Sequence, residues 1–184
     1  IAPALLLPES GAKLSGSIGT GYKAPSLFQL FSSYGNPDLE AEESLGWDIG
    51  IEQALWSDDA TIQVTYFSNS FENLISFDFE TFRSLNINEA SSRGVEVASR
   101  FGVTEDLSVR FQYTYTDTED ESTGLSLLRR ARNKLSGTLL WAISEALDVT
   151  TTISYFGPRA DTDYSVFPSK RVSLGGYTTF SATA

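Results

Sequence analysis

The chain has 184 residues with no Cys, no His and no Met, 12% aromatic side chains and a formal net charge of −11. Without Cys or His there is no thiol nucleophile, no imidazole base, no Ser-His-Asp triad and no usual zinc site, whereas paired Asp or Glu chemistry stays open. A pI near 4.4 argues against nucleic acid as a partner, because phosphate neutralisation needs a surplus of Lys and Arg on one face. No metal site and no cofactor are expected.

The chain opens on IAPALLLPES (1–10), whose apolar run has no basic segment ahead of it and is therefore not read as a signal peptide. It reads as a chain entered midway. Strict period-2 alternation then begins: Leu45, Trp47, Ile49 and Ile51 stand against Gly46, Asp48, Gly50 and Glu52. The clearest window is LSVRFQYTY (107–115), with Leu107, Val109, Phe111, Tyr113 and Tyr115 on one face and Ser108, Arg110, Gln112 and Thr114 on the other. Leu135, Leu139, Trp141 and Ile143, and then Leu147, Val149, Ile153 and Tyr155, repeat the pattern. Seven strands are predicted near 12–23, 43–56, 60–78, 85–103, 107–118, 130–144 and 147–158, with an eighth starting near 174.

The connections fall into two classes. PESGA (8–12), WSDDA (56–60), VTEDL (103–107) and ISEAL (143–147) are short polar reversals of the hairpin kind. Residues 24–43, 78–88, 117–130 and 158–175 form long loops that alternate with them. Each repeat holds one hairpin, too few strands for a propeller blade. The predicted fold is all-β, an antiparallel up-and-down meander of about 7–8 strands, of the kind an incomplete segment of a large transmembrane β-barrel would show, with short turns at one end and long loops at the other. No run of about 18 apolar residues occurs, which removes a transmembrane helix but not a barrel.

A soluble β-sandwich would also alternate. Strand length favours the membrane, since most strands reach the roughly 9–11 residues a tilted crossing needs. The polar face carries Asp48, Glu52, Glu96, Arg100, Arg110 and Lys134, as a wet lumen would, and Trp47, Trp56, Trp141, Tyr22, Tyr115 and Tyr155 gather towards strand ends. The loop at 24–43 stands out because it is long and aromatic, with Tyr22, Phe28, Phe31 and Tyr34 in or beside a stretch expected to be irregular.

GYKAPSLFQLFSSYGNPDLEAEESLGWDIGIE (21–52) and NEASSRGVEV (88–97) resemble the TonB-dependent outer-membrane receptors. LLRRARNKLSGTLLW (127–141) and YFGPRADTDYSVFPSKRVSLGGY (155–177) look most like the cobalamin receptors within that family. The resemblance implies a bacterial outer-membrane location, contact with outer-membrane lipid, and energy-coupled uptake of a scarce ligand through a plug domain and TonB. Cobalamin is the first expectation for the ligand and a ferric siderophore the alternative. It also implies that 1–184 corresponds to a C-terminal part of the barrel, without the plug, the calcium-binding loops or the last strands. As such a piece, the chain is expected neither to close as a pore nor to transport.

Candidate ligand contacts in the external loops are Arg129, Tyr164, Tyr34 and Asn36, of which the resemblance carries over Arg129 and Tyr164. Arg129 would donate to ligand oxygens and Tyr164 would pack its ring on the ligand. The structural alternatives are an ion pair from Arg129 to Asp117, Glu119 or Asp120, loop packing for Tyr164, and a purely stiffening role for Pro25 and Pro37 with Asp38 as a cap. From a different class, a carboxylate hydrolase would use Asp161 with Asp163, or Glu119 with Glu121, as paired acids. A passive porin or adhesin is a further reading.

Overall fold

The computed structural model describes residues 1–56 and 59–184, the side chains at positions 87 and 88 excepted. In chain order the elements are β1 (Ala4–Leu7), β2 (Ala12–Lys23), α1 (Leu27–Phe31), β3 (Glu42–Leu55), β4 (Ala60–Asp78), β5 (Arg83–Thr104), β6 (Leu107–Asp120), β7 (Asn133–Ser144), β8 (Leu147–Phe156), β9 (Arg159–Asp163), β10 (Lys170–Leu174) and β11 (Tyr177–Thr183). One nine-stranded antiparallel sheet runs β1-β2-β3-β4-β5-β6-β7-β8-β11, and β9 pairs with β10 in a second, two-stranded sheet. Each strand of the large sheet except β11 pairs with its sequence neighbour, which is the predicted meander.

Register explains why the alternation is so regular. Residues directly opposite in an antiparallel pair share a face. Leu14 opposes Ile51, which opposes Val64, then Val97, Tyr113, Leu135 and Tyr155, an unbroken apolar row across seven strands. One residue along, Lys13, Glu52, Gln63, Ala98, Gln112, Ser136, Ser154 and Thr179 form the matching polar row. A single-residue slip anywhere would mix the two.

The apolar face is not covered by protein. Ile49 is 60% exposed, Ile153 54% and Ile18 50%, and among the described residues no large side chain is fully buried. A sheet whose greasiest face has no protein partner needs an apolar solvent. From Leu107 to Tyr115 that face extends about 27 Å along the strand, or about 20 Å of depth at a tilt of about 40°, close to the band of an outer-membrane barrel. Trp141 sits at the tight-turn end of this stretch and Tyr115 and Tyr155 at the loop end, while Trp47 packs on Tyr66 at 5.5 Å.

On the polar face one contact is unusually close. Gly94 opposes Phe67, and a methyl group placed on Gly94 would lie 2.8 Å from the Phe67 ring and 2.0 Å from the Tyr115 carbonyl oxygen. The ring occupies the space that any side chain at Gly94 would need.

Several expectations are corrected. ALLL forms β1, a four-residue strand too short to show a period. The long loop expected at 78–88 is a four-residue turn, 79–82, because β4 and β5 continue past the membrane band as a paired arm. From Val95, opposite Tyr115, β5 runs about 40 Å further to its tip. The loop expected at 158–175 holds the β9–β10 hairpin. Phe156 opposes Tyr177 and Arg159 opposes Leu174, so the β8–β11 ladder resumes in the same register beyond a break at 157–158 and 175–176. The tight turn expected at 56–60 includes positions 57 and 58, which lie outside the described residues.

Candidate ligand-binding site

All the long connections emerge at one end of the sheet, and three are fixed to one another. Residues 24–41 contain α1, entered by a capping box: Ser26 Oγ accepts from the Gln29 amide at 3.2 Å and Gln29 Oε1 accepts from the Ser26 amide at 2.8 Å. This loop expected to be irregular is thus partly helical. Asn86 on the β5 arm staples it down, donating to the Glu40 carbonyl at 3.1 Å and accepting from the Glu40 amide at 2.9 Å. The Ser84 amide also donates to the Tyr34 carbonyl at 3.3 Å.

The anchoring brings four rings into a chain. Tyr34 meets Phe77 edge-on at 6.3 Å between centroids, Phe77 meets Phe79 at 5.1 Å, and Phe79 meets Tyr164 at 4.7 Å. Three separate connections contribute: the α1 loop, the β4–β5 arm and the β9–β10 arm. Two predicted contacts, Tyr34 and Tyr164, are therefore brought together by Phe77 and Phe79, which sequence reading did not single out. Tyr34, Phe79 and Tyr164 remain about half exposed. Rings with few rotatable bonds form a broad contact surface at low entropic cost.

Asn36 has a local task. Its Oδ1 accepts from the Asp38 amide at 3.0 Å, and its own amide donates to the Gln29 carbonyl at 2.8 Å. It closes an Asx turn beside α1. Asn36, and not Asp38, shapes this bend.

Arg129 stands in the left-handed region at φ 60° and donates from Nε to Asp161 Oδ1 at 3.0 Å, while its amide donates to the Ala160 carbonyl at 2.7 Å. The ion pair weighed for it exists, with a different carboxylate: Asp117 pairs instead with Arg132 at 2.9 Å. Arg129 thus ties the 121–132 loop to β9, and its Nη1 and Nη2 have no hydrogen-bond partner among the described residues.

The Thr162 amide, then the Arg129 guanidinium, hold the Asp161 carboxyl below its ordinary value. Hydrogen bonds from Ser165 do the same for Asp163. Both carboxyls are thus engaged by donors of the β9–β10 arm and the 121–132 loop. Glu121 accepts from Ser91 Oγ at 2.5 Å.

Beside this latch lies a cleft of about 550 Å³, lined by Thr116, Thr118, Ser126, Arg130, Arg132, Asn133, Arg159 and Arg171 among others. Arg130, Arg159 and Arg171 were not foreseen. Arg129, the arginine the sequence favoured, is not in its lining.

Residues 5–184 match the family model described as TonB dependent receptor-like, beta-barrel. Among solved structures, the chain is similar to a mutant ferric enterobactin receptor of Pseudomonas aeruginosa in complex with enterobactin, with 21% identity over 98% of this chain and 32% of that one, at a TM-score of 0.76. It is also similar to the siderophore receptor PirA of Acinetobacter baumannii, with 19% identity over 93% and 32%, at 0.75. The copper transporter OprC matches with 15% identity over 96% and 28%, at 0.73. At these identities the likeness is one of fold, and the chain spans about a third or less of the length of each structure. Nothing in these matches favours cobalamin. The chain belongs to the TonB-dependent receptor-like β-barrel family, whose members are receptors and transporters of the bacterial outer membrane and not enzymes.

Proposed function

We propose that the protein containing this chain is an energy-coupled outer-membrane receptor for a ferric siderophore, acting with TonB through a plug domain. The observation that carries this reading is the ring chain from Tyr34 to Tyr164, which joins three connections at one end of the sheet into one half-exposed aromatic surface. The likeness to siderophore receptors supports it. The receptor holds a scarce chelate at the outer rim by ring stacking and hydrogen bonds, with Tyr34, Tyr164 and Arg129 as contacts, and the chelate crosses intact. No covalent step is involved. Cobalamin is the second reading, carried by the stretches at 127–141 and 155–177.

The test is equilibrium binding to the full-length receptor in outer-membrane vesicles, with ferric enterobactin and cyanocobalamin as probes and Phe79→Ala run alongside. Phe79 makes two ring contacts worth about 0.5–1.5 kcal/mol each, and losing the surface they hold together is expected to weaken binding of the ferric probe about 5–150-fold. Saturable binding of cyanocobalamin alone replaces the siderophore reading with the cobalamin one. Binding of neither overturns both.

A further inference from the structure

On the polar face of the large sheet, three directly opposite pairs are charged on both sides among the described residues: Lys13 with Glu52, Lys23 with Glu42, and Arg100 with Arg110. The first two are of opposite sign and close to 4.0 and 2.9 Å. The third sets two guanidiniums beside each other on β5 and β6. Like charges directly opposite destabilise a ladder, and among the described residues no carboxylate lies within ion-pair distance of either arginine. Both side chains are exposed on the face assigned to the lumen.

The ground next to them is shaped to take a side chain. Ala98 stands opposite Gln63 on one side and Gln112 on the other, and its single methyl leaves a cleft of about 160 Å³ that Arg100 and Arg110 also line. Glu52 forms the far rim, drawn towards Lys13 and not to the arginines. The cleft therefore offers two strong cationic donors and the amide of Gln112, with no anion of the sheet seated between them.

Depth decides what the anion belongs to. Arg100 lies about 14 Å along β5 from its tight-turn end at Thr104, and about 58 Å from Arg83 at the tip beside the ring chain. A ligand held at the outer rim is out of reach. The acceptor must sit on whatever fills the lumen at this level.

We infer that Arg100 and Arg110 clamp a carboxylate of the plug domain against the lumen wall. The inference rests on the receptor reading above, which supplies the plug, and names the chemistry that fastens it here. An Asp or Glu side chain of the plug enters the cleft over Ala98 and takes a guanidinium on each oxygen. The like-charge pair, unfavourable in the sheet alone, becomes favourable once that carboxylate is seated. The clamp has to open whenever the plug moves to let a ligand pass.

The experiment uses the full-length receptor in outer-membrane vesicles and two readouts. In the first, Arg110→Lys supplies an amine that a water-soluble carbodiimide joins to a touching carboxylate, and mass spectrometry of the digest identifies the peptide attached. In the second, hydrogen exchange is followed in Arg100→Gln/Arg110→Gln, with Lys23→Gln/Arg93→Gln as a control that removes the same charge elsewhere on the sheet. The expected result is a cross-link to an Asp or Glu of the plug, and exchange of that plug segment about tenfold or more faster in the arginine double variant alone. A cross-link to Glu52 or another carboxylate of the barrel, or none, overturns the clamp and leaves the receptor reading standing. Equal acceleration in the control makes the effect one of general charge and also overturns it. If no segment outside the barrel strands is protected from exchange in the unmodified receptor, the plug-coupled reading itself fails.

Discussion

Replacing Gly94 by alanine tests the packing of the polar face with the smallest possible perturbation. The added methyl would stand 2.0 Å from the Tyr115 carbonyl oxygen, where side-chain carbons do not come closer than 3.0 Å, and 2.8 Å from the Phe67 ring. The obstacle on one side is backbone, so β5 and β6 must part locally by about 1 Å, an overpacking that costs about 1–3 kcal/mol. Stretching the adjacent ladder bonds, worth about 1 kcal/mol each, places the expected loss in the upper part of that range, near 2–3 kcal/mol. Gly137→Ala is the matched control. Its methyl would meet only Ile153 Cγ2, at an ordinary 3.8 Å, so it is expected to change stability by less than about 0.5 kcal/mol. Urea unfolding of the full-length receptor in detergent micelles, followed by tryptophan fluorescence, reads both. Equal midpoints for the two variants would refute the claim that the Gly94 site is closed by backbone and ring.

Two further outcomes follow from the faces and the loops. Phe111→Arg places a charge in the middle of the apolar face and is expected to cost about 2–4 kcal/mol, whereas Gln112→Arg on the polar face costs at most about 1 kcal/mol. Similar losses for both, by the same unfolding assay, would mean that the lipid-facing side has been misassigned. Asp161 has a folded-state pKa below the ordinary 3.8, so its contribution is complete above that value and is lost only as pH falls through the lower one. Ferric-chelate affinity is therefore expected to be flat from pH 8 to pH 5 as far as this latch is concerned, and Asp161→Asn should weaken it throughout. A wild-type transition inside that window that disappears in Asp161→Asn would contradict the sign of the shift.

The strands that cross the apolar band were legible because each faces two different solvents, and LSVRFQYTY needs no tertiary information to be read. Legibility fails where that contrast ends. ALLL in β1 has no alternation, and Arg83 and Ser84 lie beyond the band, so they looked like loop although Arg83 stands opposite Asp78 and Ser84 opposite Phe77. The helix α1 was hidden in an aromatic, Pro-flanked stretch, though SLFQ carried its capping box in plain view. In the ring chain, Tyr34 and Tyr164 could be picked out as candidates because each sits in a loop motif. Phe77 and Phe79 could not, since their significance comes from contacts between connections far apart in the chain.

The Phe67–Gly94 contact also bears on how such a sheet finds its alignment. Alternation repeats every two residues, so a slip of two keeps every apolar side chain on the apolar face and is invisible to the bilayer. A slip of two in β4 against β5 would set the Phe67 ring opposite Ser92 or Glu96, where a side chain already stands, and leave Gly94 without its cover. One ring fitted over one glycine thus works as a key in a lock, rejecting errors that the two-solvent pattern accepts. Beside the tight turns, this contact gives the β4–β5 pair a second, side-chain reason to hold its alignment.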